Sequence, residues 1–272
     1  GDMRIAYILG EFPSISETFI LREILALTAR GFDVSIFSIR RPSSSCTHAA
    51  AEALASGTLY PSPLARLLRN QIAAWMEFRG TYARLLASAC VPRPGALHGL
   101  RDLAIAADFA VRARAAGIAH VHAHFAFQPA DIARPLAALL GTRWSVSVHA
   151  RDIFTQTPDV LSRKLRDAAF TAVCTELGRQ RLAEIAPALS VYRIVLARHG
   201  LPPPASRSES SDEPVVLAVG RLEEKKGFRH LIEAADILKR RGCLFQCVLA
   251  GDGSLRLELE RLIVEKSLRG IV

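Results

Sequence analysis

No run of about 18 uninterrupted apolar residues occurs in this sequence, because an Arg or Glu interrupts every candidate, so a membrane-spanning helix is not expected. No leader with a basic start and an apolar centre is visible behind the opening Gly1-Asp2-Met3, so a secretory signal is not expected. The five cysteines, Cys46, Cys90, Cys174, Cys243 and Cys247, form no CxxC pair, and Cys243 and Cys247 lack further ligands at zinc spacing. They are expected as small buried hydrophobes in a reducing, cytoplasmic setting. Aromatic residues make up only 7%, and the basic residues are spread along the chain without aromatics interleaved, which argues against a single-strand nucleic-acid binder. A DxD pair of the kind that holds a divalent ion on a phosphate is absent throughout.

What is present is a chain with 50% hydrophobic and 22% charged residues over 272 positions, enough to bury a core and to make one or two domains. Its net charge of +9 favours an acidic partner: a nucleotide, an anionic lipid surface or a nucleic acid. Charge alone does not choose among them.

The most informative stretch runs from Val215 to Gly253. An apolar strand, Val215 to Val219, stops at the loop Gly220 to Gly227, which reads GRLEEKKG. An amphipathic helix follows from Phe228 to Arg241, and a second apolar run, Leu244 to Ala250, closes on Gly251-Asp252-Gly253. This is one βαβ unit, in which ligands bind at the carboxyl edge of the strands. Arg221 and Lys226, with Lys225 beside them, lie where a helix N-terminus adds its own partial positive charge, so the loop suits a phosphate; a solvated lysine turn is the plain alternative.

VGRLEEKKGFRHLIEAADIL followed by VLAGDG resembles the start of the donor-binding domain of the family 4 (group 1) glycosyltransferases of GT-B fold. The resemblance implies that Arg221 and Lys226 contact the diphosphate of a nucleotide-sugar donor, with Gly251 and Gly253 on a neighbouring loop. It implies transfer of a sugar with retention of configuration, no cofactor beyond the nucleotide-sugar substrate, and no metal.

Near the start, Arg4 to Leu9 (RIAYIL) reads as a strand broken at Gly10-Glu11-Phe12-Pro13, Ser16 as the cap of a helix from Glu17 to Arg30, and Asp33 to Ile39 as the next strand. EFPSISETFILREILALTARGFDVSIFSIR resembles the amino-terminal stretch of family 4 enzymes that build exopolysaccharide, of the colanic-acid type. The resemblance places the loop from Gly10 and Glu11 beside donor and acceptor, although this chain has one glycine where many relatives have two.

A polar, Ser-rich run from Arg40 to Gly57 precedes two long helices, Leu64 to Ala89 and Leu97 to Ala116, split by Pro92, Pro94 and Gly95. Leu67, Leu68, Ile72, Trp75 and Met76 make the first one apolar, with Arg66, Arg69, Arg79 and Arg84 interleaved. Packing on a core is the ordinary fate of such helices; peripheral contact with the inner face of a cell membrane is the sharper option.

The strand HVHAHF puts His120, His122 and His124 on one side, but the outer pair would be about 13 to 14 Å apart, too far to share one ion. The resemblance instead turns His124 toward the cleft. WSVSVH is the next strand, with His149 at its carboxyl end and Asp152 following. The family pattern H-x-x-D then implies a catalytic role for His149 and Asp152 beside the reacting sugar. Phe170 to Thr175 and Tyr192 to Ala197 are read as further strands, the latter running into His199-Gly200-Leu201; the resemblance implies that Gly200 faces the cleft, and Pro202 stands where that family commonly has an Asp. Glu176 and Glu184 mimic the E-x7-E signature of retaining enzymes but fall in the wrong domain, and are read as chance.

The reading is therefore an α/β chain of GT-B type. Residues 1–200 make a Rossmann-like amino-terminal domain, 201–213 a Pro/Ser-rich linker, and 214–272 a partial donor-binding domain, short of the roughly 100 to 200 residues usual for a domain. Its expected function is sugar transfer from a nucleotide diphosphate to a glycan or lipid-linked acceptor in surface polysaccharide synthesis. The 272-residue chain is expected to be inactive alone and to form a homodimer through exposed apolar strand faces. Two alternatives stay open: a non-catalytic binding or interaction subunit on the same fold, and a basic nucleic-acid-binding protein.

Overall fold

A computed structural model describes residues 3–42, 49–91, 96–187, 193–201 and 214–272. The chain divides into two compact units, Gly1–Leu201 and Pro202–Val272. The Pro/Ser-rich stretch read as a linker, apart from Leu201, lies outside the described residues, as do Cys46, Tyr192 and the break at Pro92, Pro94 and Gly95.

The first unit is built on six parallel strands, β1 (Arg4–Glu11), β2 (Asp33–Arg40), β3 (Ile118–His124), β4 (Arg143–Val148), β5 (Thr171–Val173) and β6 (Ile194–Leu196), in the order β2-β1-β3-β4-β5-β6. A parallel sheet needs crossovers, and these carry α1 (Thr18–Thr28), α2 (Ala49–Ala55), α3 (Leu64–Ala89), α4 (Ala96–Ala113), α5 (Gln128–Leu140), α6 (Ala150–Thr155), α7 (Pro158–Leu165) and α8 (Glu176–Ile185). Both sheet faces are buried, which is why the strands are apolar on both sides. Ala6 and Ile8 face one core with Phe37, Phe109 and Val121. Their alternates Tyr7 and Leu9 face a second core with Ile20, Leu21 and Ile24 of α1.

Three local readings need correction. β1 does not break at Gly10: the ladder with β2 continues to the pair Glu11 and Arg40, so Gly10 and Glu11 end a strand and do not open a loop. Ser16 does not cap α1. A turn in which the Glu17 N–H donates to the Ser14 carbonyl takes up that residue, the helix starts at Thr18, and the Ser16 hydroxyl lies 3.4 Å from that of Ser14. Of the described cysteines only Cys247 is buried, while Cys90 and Cys243 are exposed and Cys174 is half-buried, so they are not core hydrophobes as a class.

In the second unit β7 (Val215–Val219) and β8 (Gln246–Ala250) pair in parallel and are joined through α9 (Phe228–Arg240), with α10 (Arg256–Glu265) after β8. Phe228, Ile232 and Ala235 of α9 bury against Leu259 and Leu262 of α10 and against Leu222 and Leu268. Val215, Leu217 and Val219, alternate residues of β7, remain exposed. Residues 269–272 form turns: the Ile271 and Val272 N–H groups both donate to the Leu268 carbonyl.

The two loops at the carboxyl edge of β7 and β8 are bonded to each other. Gly220 N–H donates to Ala250 O at 3.0 Å, Leu222 N–H to Asp252 O at 2.9 Å, and Leu255 N–H to Leu222 O at 3.0 Å. A Cβ on Gly251 would sit 1.9 Å from the Gly220 carbonyl oxygen, and one on Gly253 2.6 Å from that of Leu222; both obstacles are backbone and cannot swing away. A Cβ on Gly220 would meet only the Phe228 ring, at an ordinary 3.6 Å. Gly251→Ala should therefore pry the loops apart and speed amide exchange at Gly220 and Leu222 by about ten- to hundredfold, the range of overpacking penalties of about 1 to 3 kcal/mol. Gly220→Ala should leave exchange at Leu222 unchanged; equal effects from the two variants would show that the loops are not locked in this way.

Candidate active site

The strand order reverses at β1, with β2 on one side and β3 on the other, and successive crossovers there leave a crevice outside the carboxyl ends of β1 and β3. Around that edge stand His124 at the end of β3, His149 directly after β4, Cys174 directly after β5, and His199 and Gly200 beyond β6. The structure thus brings together His124, His149 and Asp152. Glu11 and Gly10 end the neighbouring strand, and Gly200 is exposed beside His199.

The rings form a chain. His122 and His124 lie 5.1 Å apart edge to face, His124 and His149 6.0 Å apart and nearly parallel, and His149 and His199 5.4 Å apart and stacked. Phe19 of α1 packs against His149 at 5.0 Å and His199 at 4.4 Å. Below them, His122 is held between the Ser145 and Ser147 hydroxyls at 2.7 and 3.0 Å, which fixes its ring from both nitrogens. Tyr7 donates to Glu23 at 2.6 Å, and Glu23 also lies 3.4 Å from Nε2 of the fully buried His124. Phe125, next in the chain, has a φ of 76°, the left-handed region that a bulky side chain rarely adopts, while its N–H donates to Ser147 O at 2.9 Å.

Burial sets the charges of this cluster. Loss of water pushes the His122 and His149 rings down to about 3, helped by neighbouring imidazoles, so both are neutral at pH 7. The Glu23 carboxyl is pushed up by burial, but the hydrogen bonds and charge of His124 and the Tyr7 hydroxyl outweigh it and hold the group down at about 2. Tyr7 is pushed up by burial and by Glu23.

His149 is the N-cap of α6 in a reciprocal capping box: its ring accepts from the Asp152 backbone N–H while the Asp152 carboxylate accepts from the His149 N–H at 2.7 Å. The other Asp152 oxygen accepts from Ala126 N–H at 2.8 Å. Asp152 is fully buried, and burial raises it to about 6 against those two donors. Read from sequence as catalytic with His149, its carboxylate here bonds the backbone of His149 and of Ala126. The capping geometry assigns the acceptor role to the ring nitrogen facing the Asp152 N–H and so the proton of the neutral ring to Nε2, which is buried with no partner. A preorganised donor without an acceptor is suited to a ligand oxygen.

Among the described residues, two donor sets could hold a metal ion: Glu23, His122 and His124, and His149, Cys174 and His199, each with ligand atoms within 4.8 Å of one another. His120 belongs to neither, and both His122 nitrogens already hold serine hydroxyls. Strand spacing bears only on the three histidines of HVHAHF, whereas both sets are assembled from different elements of the fold. Tyr7, Phe19, Glu23, Cys174 and His199 were also missed; alternation in β1 and α1 shows that Tyr7 and Glu23 could face the same layer, but not that they meet. Glu176 and Glu184 face neither set: they pair with Arg179 and Arg181 on α8.

In the second unit, Arg221 follows β7 and ion-pairs with Glu223 at 3.0 Å, while Lys225 reaches the same carboxylate at 3.3 Å. Lys226 is exposed at the end of a short 3-10 turn, Glu224–Lys226, that closes on Gly227 with a φ of 70° before α9. Gly251 and Gly253 stand on the adjoining loop described above. Glu223, unremarked in the sequence, is thus the internal counter-ion that a bound anion would have to displace or share.

Residues 204–272 match the model of the family described as glycosyl transferases group 1. The chain is 33% identical over 178 residues to the alpha-D-kanosaminyltransferase of Streptomyces kanamyceticus, a match covering 56% of this chain and 46% of that protein. It is 27% identical over 291 residues to the amylovoran biosynthesis glycosyltransferase AmsK of Erwinia amylovora, covering 99% of this chain and 69% of that protein. Among solved structures, Anabaena Alr3699/HepE in complex with UDP and glucose superposes with a TM-score of 0.61 at 12% identity, over 99% of this chain and 68% of that one. The chain spans about half the length of the first of these relatives, and its fold is of GT-B type.

The depressed histidines make the first unit acid-sensitive. Unfolded histidines titrate near 6.5, so between about pH 3 and 6.5 the unfolded chain binds protons that folded His122 and His149 refuse. Stability from these groups is complete above about pH 6.5 and is lost as pH falls, at about 1.4 kcal/mol per pH unit for each histidine. His149→Asn should remove one such proton from the slope, read from urea unfolding between pH 4 and 7 with the buried Trp144 as probe. An unchanged slope would mean that His149 is protonated in the folded state.

Proposed function

We propose that this chain serves surface polysaccharide synthesis as a group 1 glycosyltransferase, moving a sugar from a nucleotide diphosphate donor, with retention of configuration, to a glycan or lipid-linked acceptor; the group 1 match of its carboxyl-terminal residues and its GT-B type fold support this reading. The observation that carries the proposal is the match of that family model to the unit whose carboxyl-edge loop presents Arg221 and Lys226. In such a transfer the bond from the anomeric carbon to the diphosphate oxygen breaks and a bond to an acceptor hydroxyl forms. Negative charge grows on the diphosphate as it leaves. Two cations held at that oxygen stabilise the growing charge, which is the main thing the reaction asks of the protein besides positioning.

The first unit supplies a different element. A neutral His149 with its Nε2–H unpaired offers a hydrogen bond to a sugar hydroxyl, and the Asp152 carboxylate fixes the backbone turn from which the ring projects. The names of the relatives, amylovoran biosynthesis and kanosaminyl transfer, support sugar transfer as the common chemistry. HepE was solved with UDP and glucose, which supports a nucleotide-sugar donor.

Calorimetric titration with UDP and GDP tests the proposal. Arg221→Ala and Lys226→Ala should each weaken binding of the accepted nucleotide by about 1.5 to 3 kcal/mol, the scale of a charge-assisted hydrogen bond. The effect of Arg221→Ala should fall at the low end, because the arginine must first leave Glu223. Equal affinity in wild type and both variants would remove the loop from the donor site.

A further inference from the structure

α3 is the longest helix among the described residues, spanning Leu64 to Ala89, and its two faces do different things. The inner face is pinned by polar contacts. Asn70 donates to Asp108 at 2.6 Å, Gln71 donates to the Ala104 carbonyl at 3.1 Å, and Tyr82 donates to Gln71 at 2.8 Å. Asp108, fully buried, also accepts from Arg112 at 3.1 Å and from the Ser62 N–H at 3.0 Å, so the helix cannot roll about its axis without breaking a buried network.

The outer face is apolar. Leu64, Leu68, Ile72, Trp75 and Met76 recur at spacings of three and four, which puts them on one side of the helix, and every one of them is more than half exposed. Five large side chains in a line are beyond the scattered exposed apolar residues of an ordinary surface. The expectation that this helix packs on the core therefore holds only for its inner face.

The charges around the stripe decide what covers it. Arg66, Arg69, Arg79 and Arg84 are all exposed on the same helix. Its single acidic residue, Glu77, is neutralised by Arg114 at 3.0 Å. An apolar stripe with Arg69 and Arg79 beside it, on a helix that arginines keep from crossing a bilayer, fits the interface of an anionic membrane. The side chains of the stripe enter the acyl boundary and the guanidinium groups stay among phosphates. We infer that the outer face of α3 docks this protein on an anionic lipid bilayer, with Trp75 seated at the headgroup level. The inference does not depend on the donor site and stands whether or not the proposed transfer is correct.

Vesicle binding tests it. Trp144 is buried, so a change in tryptophan emission on adding vesicles reports Trp75. With vesicles of phosphatidylcholine and phosphatidylglycerol the protein should co-sediment and its emission should shift to the blue; with phosphatidylcholine alone it should do neither. Leu68→Ser with Ile72→Ser should reduce binding at least tenfold at unchanged far-ultraviolet circular dichroism. Arg69→Gln with Arg79→Gln should reduce binding to the anionic vesicles and flatten its salt dependence. Equal pelleting with both vesicle types, or wild-type binding by the serine variant, would overturn the inference. So would a dimer in solution that the serine variant abolishes, since a second copy would then be the occupant of the stripe.

Discussion

The amino-terminal site depends on one buried carboxylate. Asp152 accepts from the backbone of Ala126, just past the end of β3, and from the backbone of His149, just past the end of β4, so it ties together the two strand ends where the histidines stand. Burying a carboxylate is costly unless it is well bonded, and here two N–H donors offset part of that cost while burial still lifts its pKa to about 6. The return is orientation: with the capping box formed, the His149 ring has one nitrogen committed to the backbone and the other left for a ligand. Without the Asp152 carboxylate the ring would keep its stacking neighbours, but the backbone N–H groups of His149 and Ala126 would lose their shared acceptor and the two strand ends their tie.

The carboxyl-terminal unit solves a related problem by closeness of backbone. Gly251 lies against the Gly220 carbonyl, and Gly253 against Leu222, so the loop carrying Arg221 is held by main-chain hydrogen bonds and needs no large side chain at the edge. That leaves the edge open to a phosphate and lets Glu223 hold Arg221 in the meantime. In both units the strands bring chemistry-bearing residues to their carboxyl ends, where parallel sheets commonly bind ligands.

Much of this was legible in the sequence, and the rest has identifiable causes. The span of α3 follows from its 3.6-residue periodicity after Pro63, and α9 is read nearly to the residue for the same reason. His149 is legible as a strand end because WSVSV alternates and then stops. Gly10 was misread because a glycine before Phe12-Pro13 looks like a break, whereas the ladder to β2 satisfies its backbone and carries the strand through. Pairs such as Tyr7 with Glu23, or His149 with Cys174 and His199, depend on which strands become neighbours, and no local pattern encodes that order. The exposed face of α3 was invisible for a related reason: periodicity shows that a helix has an apolar side but not how much of it a partner covers.

The central claim is that the carboxyl edge of the first unit presents a neutral, preoriented His149 with a buried ring nitrogen left for a ligand. Its most direct test is nuclear magnetic resonance of the protein with nitrogen-labelled histidine at pH 7, followed during titration with UDP-glucose and, separately, UDP. The account predicts a neutral His149 with its proton on Nε2 before addition, and a shift of that nitrogen with a nucleotide sugar the protein accepts but not with the nucleotide alone. A protonated His149 in the free protein, or a resonance unmoved by UDP-glucose and by the other common nucleotide sugars at saturating concentration, would contradict it.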